Sequence, residues 1–318
     1  MKPSFQSEHF TLHTLAEGIY AAIATESGAG FSNAGLIDLG DRTLVFDAFE
    51  NPQAAEDLLA ASVQLTGRKP DTVIISHFHP DHWAGLQAFA GSAILSTHAT
   101  RQHMAPIAAE MLEEKQDPSD LQNYLRETEA KLTTQTDPAQ RRSLQININR
   151  QRHTLQALPT LQPTLPNQTF EGEMLFHGTQ RPADLIDLGS AHTMSDCLLR
   201  LPQDGIAFIG DIGFFQSQPF MANGFPSQWA ALLDDMANWE VQTFVPGHGP
   251  LGGRDDLSLE ATYIRTLEDM VSQVMRAGGT VEDALRQTLP PPFDAWQASR
   301  HRFEANVRAS FKRQSSGH

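Results

Sequence analysis

The chain has 318 residues, of which 40% are apolar, so it is long enough to bury a large hydrophobic core. It carries 23 Lys and Arg against 38 Asp and Glu, and the resulting net charge of −15 opposes binding to nucleic acid. No stretch approaches the roughly 20 apolar residues that cross a bilayer, so we expect no membrane association. The polar segment Met1–Thr11 does not resemble a secretory signal, which favours a cytoplasmic location. Cys197 is the only cysteine, so any metal must be held by histidine and carboxylate.

The first part of the chain predicts short strands followed by an α/β pattern. Turn signals of Gly, Asn and Asp separate β-rich runs that predict consecutive antiparallel strands at Gly18–Ala24, Leu36–Leu39 and Thr43–Phe46. A helical pattern follows at Pro52–Leu65, and a buried strand is expected at Asp71–Ser76. The succession of strand, helix and strand predicts an α/β layer.

A segment rich in Gln, Glu, Arg and Thr extends from Thr100 to about Pro159. Apolar residues recur in it at helical spacing, and Pro118 and Pro138 mark breaks, so the sequence predicts a helical insertion. Its apolar stripes must pack on this chain, on a second subunit or at the mouth of a binding site. The insertion begins at the end of the strand that follows the histidine-rich motif at residues 77–82. We therefore favour a lid beside a site, with a homodimer contact as the alternative.

Strands return after Pro166 and predict a second α/β half. They are expected at Met174–Phe176, Leu185–Leu188, Cys197–Leu201, Ile206–Ile209 and Thr243–Val245, with a helix at Ser227–Trp239. From about residue 257 to 318 the pattern is mostly helical, with a break at Pro290–Pro292. This tail is another candidate for a homodimer contact. No sequence repeat is present, and we expect a single domain over residues 1–318.

The strongest functional signal is Ser76-His77-Phe78-His79-Pro80-Asp81-His82, which places four potential metal ligands within six residues. Side chains alternate along a strand, so His77 and His79 project to the same side of the extended chain. Pro80 then turns the chain, so Asp81 and His82 can supply ligand atoms to a second position a few ångströms away. The spacing alone therefore indicates two adjacent metal positions.

This segment resembles the signature His-x-His-x-Asp-His of the metallo-β-lactamase superfamily, and three later motifs match the remaining family ligands in type and order. They are Gly189-Ser190-Ala191-His192-Thr193, Phe208-Ile209-Gly210-Asp211 and Pro246-Gly247-His248-Gly249. The resemblance implies an α/β fold, the metallo-β-lactamase-like αβ/βα four-layer sandwich, with the insertion at about 100–160 and the tail at about 257–318 outside the common pattern. It also implies one metal on His77, His79 and His192, a second on Asp81, His82 and His248, and Asp211 bridging both.

These ligands suit two zinc ions and leave positions open for water and substrate, with iron or manganese as alternatives. Such a pair can lower the pKa of a shared water toward about 7 and present a bridging hydroxide to a polarised carbonyl. Asp81 would also orient this hydroxide and take its proton, which makes it the candidate catalytic residue. In the family an Asp at the position of Asp47 lies beneath the metal loop, where it can fix the tautomer of a ligand histidine. A turn or helix-capping role before Pro52 is the alternative.

The substrate is less well indicated than the metals. The commonest zinc β-lactamases have Cys at the position of Asp211 and, shortly after it, a Lys that pairs with the drug's carboxylate, and both are absent here. The residues after His192 also depart from the His-Thr-Pro-Gly-His run of glyoxalase II. With few Lys or Arg in these loops, we expect a small, neutral or apolar ester, lactone or amide. The candidate pocket residues, some of which we expect in the core, are Phe31, Asn33, Phe78, Trp83, Phe214, Phe215 and Met221.

Other activities on the same scaffold are open alternatives. One is an iron-dependent oxidoreductase or dioxygenase, although the diiron redox type usually has Glu where this chain has His79. Zinc β-lactamase or phosphodiesterase activity is another. A nuclease is disfavoured by the net charge of −15. The complete ligand set therefore favours a hydrolase.

Overall fold

Two sheets form the centre of the fold within residues 5–296 and 300–316, which this computed structural model describes. The first sheet has the spatial order β1 (Phe10–Ala16), β2 (Ile19–Ala24), β3 (Ala34–Asp38), β4 (Thr43–Phe46), β5 (Thr72–Ile74), β6 (Ala93–Thr97) and β7 (Gln168–Phe170). Its first four strands pair antiparallel, and β4 to β7 pair parallel.

The second sheet has five strands. From one edge to the other they are β12 (Thr243–His248), β11 (Ile206–Phe214), β10 (Asp196–Leu201), β9 (Ala183–Gly189) and β8 (Glu173–Phe176). β12 is parallel to β11, and the remaining neighbours are antiparallel.

The helices lie on the outer faces of the sheets, in the insertion and in the tail. They are α1 (Pro52–Thr66), α2 (His98–Gln116), α3 (Ser119–Thr134), α4 (Pro138–Ala157), α5 (Pro226–Met236), α6 (Arg254–Arg276), α7 (Val281–Leu285) and α8 (Arg300–Ser315). No helix within the described residues is both long and apolar enough to span a membrane.

Three apolar clusters hold these elements in four layers. One cluster lies between the two sheets and joins residues such as Ile37 and Phe46 to Leu199 and Phe208. A second packs α1 and α2 on the first sheet, and a third packs α5 and α6 on the second sheet. The order helices, sheet, sheet, helices is the sandwich predicted from the motifs.

The predicted strands are present, although several of their boundaries differ from the sequence-based expectation. β1 was not predicted; it lies at the edge of the first sheet beside β2, and Phe10 is its one buried residue. β11 continues to Phe214, so Asp211 lies inside this strand rather than after its end at Ile209. β12 likewise continues through the glycine at position 247 to His248. The pairing of β11 with β12 is irregular here, with register shifts on both sides of Gly210.

The insertion and the tail are helical as predicted. The insertion consists of α2, α3 and α4, and its breaks lie near Pro118 and Pro138. Met104 and Ala108 of α2 are buried in the cluster that covers the first sheet, so part of the insertion packs on its own chain. The tail consists of α6, α7 and α8, and its residues 297–299 and 317–318 lie outside the described part of the chain.

Candidate metal centre

The motif His77–His82 begins three residues after the end of β5 at Ile74, at the edge where the parallel strands of the first sheet end. Its backbone is fastened to Asp47, which follows the neighbouring strand β4. The amide of Ser76 donates to Oδ1 of Asp47 at 2.8 Å, and the Ser76 hydroxyl donates to Oδ2 at 2.8 Å. The Ser76 hydroxyl also lies 2.9 Å from Nδ1 of His77, so the same contact orients the first histidine.

Three imidazole nitrogens converge on one point. Nδ1 of His79 lies 3.0 Å from Nε2 of His77 and 2.9 Å from Nε2 of His192. His192 reaches this point from the turn between β9 and β10. Oδ2 of Asp211 lies 3.6 Å from Nε2 of His77 and 3.3 Å from Nε2 of His192. These four residues could hold one metal ion.

A second group of ligand atoms lies on the other side of Asp211. Oδ1 of Asp211 is 3.0 Å from Nε2 of His82 and 3.4 Å from Nε2 of His248. Oδ2 of Asp81 lies 3.1 Å from Nε2 of His248, and Asp81, His82 and His248 could hold another ion. Each carboxylate oxygen of Asp211 thus faces a different group, which is the arrangement of a bridging ligand.

The close approach of β12 to Asp211 requires glycine at position 247. A Cβ atom on Gly247 would lie 2.0 Å from Oδ1 of Asp211, which is far inside van der Waals contact. Gly210 has a positive φ of 51°, and a Cβ there would lie 2.7 Å from Cβ of Ser76. Glycine at these two positions therefore allows the candidate ligands that follow β5 and lie in β11 and β12 to come close together.

The donor set fits divalent cations. Burial is the largest cause that lowers the pKa of His77, His79 and His192, so their imidazoles stay neutral and keep a lone pair for a metal. Within the described part of the chain, Nε2 of His82 and Oδ1 of Asp211 are buried and lie 3.0 Å apart, but their orientation does not form a hydrogen bond. Buried polar atoms of this kind are costly unless a partner is present, and a cation between them would be such a partner.

Asp47 has the position that the sequence suggested for it, beneath the motif. Oδ2 of Asp47 lies 2.7 Å from Nδ1 of His82, and both residues are buried. This contact places the proton of His82 on Nδ1 and directs Nε2 toward Asp81 and Asp211. Burial acts to lower the pKa of His82, but the carboxylates of Asp211, Asp47 and Asp81 raise it well above its usual value.

The loop after β11 orients His79, a contact that no pattern in the sequence indicates. Nε2 of His79 lies 3.1 Å from Oδ1 of Asn223, which leaves Nδ1 of His79 directed at the other two imidazoles. The phenyl ring of Phe220 lies 5.7 Å from the His79 ring. Asn306 of α8 holds this loop, since it accepts from the amide of Met221 and donates to the carbonyl of Pro219, both at 2.8 Å.

We expect Asn223→Ala to weaken zinc binding by roughly tenfold, the lower end of the effect of such contacts, because water can replace the lost amide at this exposed position. Zinc affinity measured by competition with a chelator checks this. Asn223→Asp, which keeps an acceptor for His79, should bind zinc at least as well as the wild type. Asn238→Ala, an equally exposed change at the end of α5, is the matched control. Equal zinc affinity in the wild type and Asn223→Ala would contradict the orienting role.

The predicted pocket residues divide into two groups. Trp83, Phe215 and Met221 are 0%, 1% and 0% exposed and belong to the apolar clusters, as expected for part of this set. Asn33 is also buried, and its amide donates to the carbonyls of Pro246 and Gly249, which holds the loop around His248. Of the predicted set, the rings of Phe31, Phe78 and Phe214 lie against ligand histidines, as do the rings of Phe220 and Trp229, which were not predicted.

Two arginines lie near this site, although they belong to the insertion and the tail and not to the ligand motifs. Arg150 of α4 lies with Cζ 3.6 Å from the centre of the Phe31 ring, and Phe31 packs against His248. Arg302 of α8 lies with Cζ 5.5 Å from the centre of the Phe214 ring, which stacks on His248 at 4.9 Å. No short-range pattern in the sequence relates either arginine to the motif. Only the fold brings them to it.

A family model described as the metallo-beta-lactamase superfamily matches residues 27–248, more than half of the chain. The chain belongs to this superfamily. The match begins in the loop before β3 and ends at His248, so it spans all seven candidate ligands and stops before the helical tail. Members of this superfamily are generally metal-dependent hydrolases, and the His and Asp cluster described above agrees with metal binding.

Solved metallo-β-lactamases share the fold at low sequence identity. The enzyme FIM-1 from Pseudomonas aeruginosa, solved in its mono-zinc form, is 15% identical with a TM-score of 0.56, over 83% of this chain and 98% of its own. The enzyme from Erythrobacter litoralis is 17% identical with a TM-score of 0.57, over 82% of this chain and 98% of its own. The one from Pontibacter korlensis is 15% identical with a TM-score of 0.57, over 80% of this chain and 99% of its own. The metallo-β-lactamase fold predicted from the motifs is thereby confirmed.

Proposed function

We propose that the protein is a dinuclear, zinc-dependent hydrolase that cleaves a small ester, lactone or amide. The placement of Asp211 carries this proposal, because its two carboxylate oxygens face two separate groups of ligand atoms. A carboxylate in this position can hold two divalent ions about 3.5–4 Å apart. The zinc-containing relative FIM-1 supports zinc as the metal.

In this proposal each ligand has a defined place. His77, His79 and His192 hold one ion, Asp81, His82 and His248 hold the other, and Asp211 contacts both. Zinc at these positions would supply an activated water and a Lewis acid for the substrate carbonyl. Asp47 and Asn223 fix the ring orientations of His82 and His79, so the ligand atoms are in place before the ions bind.

Asp81 is the candidate catalytic carboxylate. Burial acts to raise its pKa, but the interaction with His82 and the hydrogen bond with His248 lower the pKa well below its usual value. The side chain is therefore ionised at neutral pH, and it can accept a hydrogen bond from water and orient its oxygen. The hydroxyl of Ser32 donates to the backbone carbonyl of Asp81, which keeps this residue in position.

The composition of the loops around the motifs is not enough to assign the charge of the substrate. A neutral substrate was expected because the loops around the motifs contain few Lys or Arg. Arg150 and Arg302 come from helices instead, and both lie against aromatic rings that contact His248. That argument for a neutral substrate therefore loses its basis. A homodimer formed through the insertion or the tail stays a prediction.

We expect the protein, purified without chelators, to contain close to two zinc ions per chain, because seven ligand residues form two groups. Elemental analysis by mass spectrometry checks this. A folded protein with well below one metal per chain would contradict the proposal. Iron in place of zinc, with a visible absorption band, would favour the oxidoreductase alternative.

The reaction class is tested with the zinc-loaded protein on a panel of esters, lactones, amides, β-lactams and phosphodiesters. We expect turnover of at least one acyl substrate that is abolished by chelation and restored by zinc. Asp81→Asn should lower this turnover while zinc content is followed in parallel. Turnover of phosphodiesters alone, or of none of these compounds, would contradict the proposal.

A further inference from the structure

Glu260 lies in the apolar face of the tail helix α6, where a carboxyl group is unexpected. The buried residues Leu257, Ile264 and Val271 follow one another at helical spacing on this face, and Glu260 falls between them with 0% of its surface exposed. Burial raises the pKa of Glu260 well above its usual value, which favours the neutral acid. A carboxyl group in an apolar core is costly unless a hydrogen bond compensates for the lost water. Its position therefore calls for a reason.

The partner of Glu260 is the end of β11. Oε2 of Glu260 accepts a hydrogen bond from the backbone amide of Phe214 at 2.8 Å. From Gly210 to Phe214 β11 advances by four residues, whereas the paired stretch of β12 advances by two. Such a bulge leaves backbone groups without partners in the sheet, and a buried amide needs an acceptor. Glu260 supplies this acceptor at the end of the irregular stretch that contains Asp211.

The same end of β11 holds His248 in place. The ring of Phe214 stacks on the imidazole of His248 with 4.9 Å between the ring centres, and the amide of Phe215 donates to the carbonyl of His248 at 3.1 Å. Nδ1 of His82 faces a carboxylate oxygen of Asp47, but within the described part of the chain no side chain forms a hydrogen bond with Nδ1 of His248. The orientation of His248 therefore depends on packing against its neighbours, and Phe214 is stacked directly on it.

We propose that Glu260 is a positioning residue for His248, because it holds the end of β11 and thereby the ring against which His248 packs. This inference rests on the proposed function, since it concerns the second metal position, formed by Asp81, His82 and His248. Glu260 lies in the tail, beyond the region that the family model matches. The tail thus contributes to the geometry of the metal centre without supplying a ligand.

The first group of ligands depends less on this contact. The ring of Phe214 also lies 5.5 Å from that of His192, but His192 packs against the ring of Trp229 as well, at 5.1 Å. The other two imidazoles of this group belong to the motif that follows β5. Loss of the Glu260 hydrogen bond should therefore weaken the second metal position more than the first.

The test measures the two stepwise dissociation constants for zinc by competition with a chelator. Glu260→Leu places an apolar side chain in the apolar face of α6 and removes the acceptor for the Phe214 amide. We expect one zinc ion to bind about tenfold more weakly in this variant, and the other to change by less than about threefold. The reference variant His248→Ala, which should lose the second ion, shows which constant belongs to the second position. Glu260→Gln keeps an acceptor oxygen and should bind both ions as the wild type does.

A matched control separates this role from a general loss of stability. Val271→Ala removes buried methyl groups from the same face of α6, about three turns from Glu260, and should lower the Tm of the metal-free protein but leave both zinc affinities unchanged. Tm is measured for every metal-free variant. If Glu260→Leu does not fold, Glu260→Asp takes its place, because it keeps the carboxyl group but withdraws the acceptor by one methylene group.

A second readout needs no metal. Hydrogen exchange in the metal-free protein, followed by mass spectrometry, should be faster at residues 212–216 and 244–249 in Glu260→Leu than in Val271→Ala, and unchanged in Glu260→Gln. A wild type that binds fewer than two zinc ions would count against the proposed function, and the exchange rates would then decide the inference alone. Equal losses at both metal positions, no loss at either, or exchange that Glu260→Leu leaves unchanged would overturn it.

Discussion

Asp211→Asn is expected to empty at least one of the two zinc positions and to lower turnover by roughly a thousandfold, the size expected when a metal contribution of several kcal/mol is lost. The side chain is 3% exposed, and its two oxygens lie 3.3 Å from Nε2 of His192 and 3.0 Å from Nε2 of His82. Asn replaces one of these oxygens with an NH₂ group, which has no lone pair to offer a cation. The substitution keeps the shape of the side chain, so the change tests the bridging role rather than the packing.

Two measurements decide this prediction. Elemental analysis gives the zinc content, and the difference in Tm between zinc-loaded and chelator-treated samples of the same variant gives the stabilisation by metal. Both should be smaller in Asp211→Asn than in the wild type. Asp184→Asn makes the same change on β9 of the same sheet, where Asp184 pairs with Arg200 at 2.8 Å, and should behave as the wild type. Two zinc ions bound at wild-type affinity in Asp211→Asn would refute the bridging assignment.

The motif from His77 to His82 could be recognised from the sequence because its spacing is local. Alternation along a strand and a turn at Pro80 are enough to place its ligands in two directions. The contacts with His192, Asp211 and His248 are long-range, and the resemblance to a family supplied them. Residue order alone does not specify that β11 continues through Asp211 or that a glycine at 247 is needed for its approach.

The residues that orient and surround the ligands were the least predictable. Asn223, which contacts His79, lies on a loop that Asn306 holds from a helix beyond the matched family region. Arg150 and Arg302 lie in the insertion and the tail, whose helical spacing predicts helices but not which side chains face the metal centre. Aromatic residues such as Trp83 and Phe215 are equally suited to a core and to a pocket, and burial in the core was the outcome.

Asp47→Asn is the second substitution with a large expected effect, a loss of zinc affinity of roughly 10- to 100-fold. Oδ2 of Asp47 faces Nδ1 of His82 at 2.7 Å and the Ser76 hydroxyl at 2.8 Å, while Oδ1 accepts from the Ser76 amide. An amide has one acceptor oxygen, so at least one of these donors is left buried without a partner. His82 then loses its fixed tautomer, or the motif loses its link to β4.

Asn is preferred to Ala in this experiment because of the backbone at position 47. Asp47 has a positive φ of 61°, a conformation that Asn adopts readily but that strains Ala. Asp38→Asn is the matched control, since Asp38 ends β3 in the same sheet and pairs with Arg68 at 2.6 Å, away from the motif. We expect Asp38→Asn to leave zinc affinity unchanged and Asp47→Asn to lower it, as measured by chelator competition. Equal affinities in the two variants would mean that Asp47 serves the turn after β4 and not the orientation of His82.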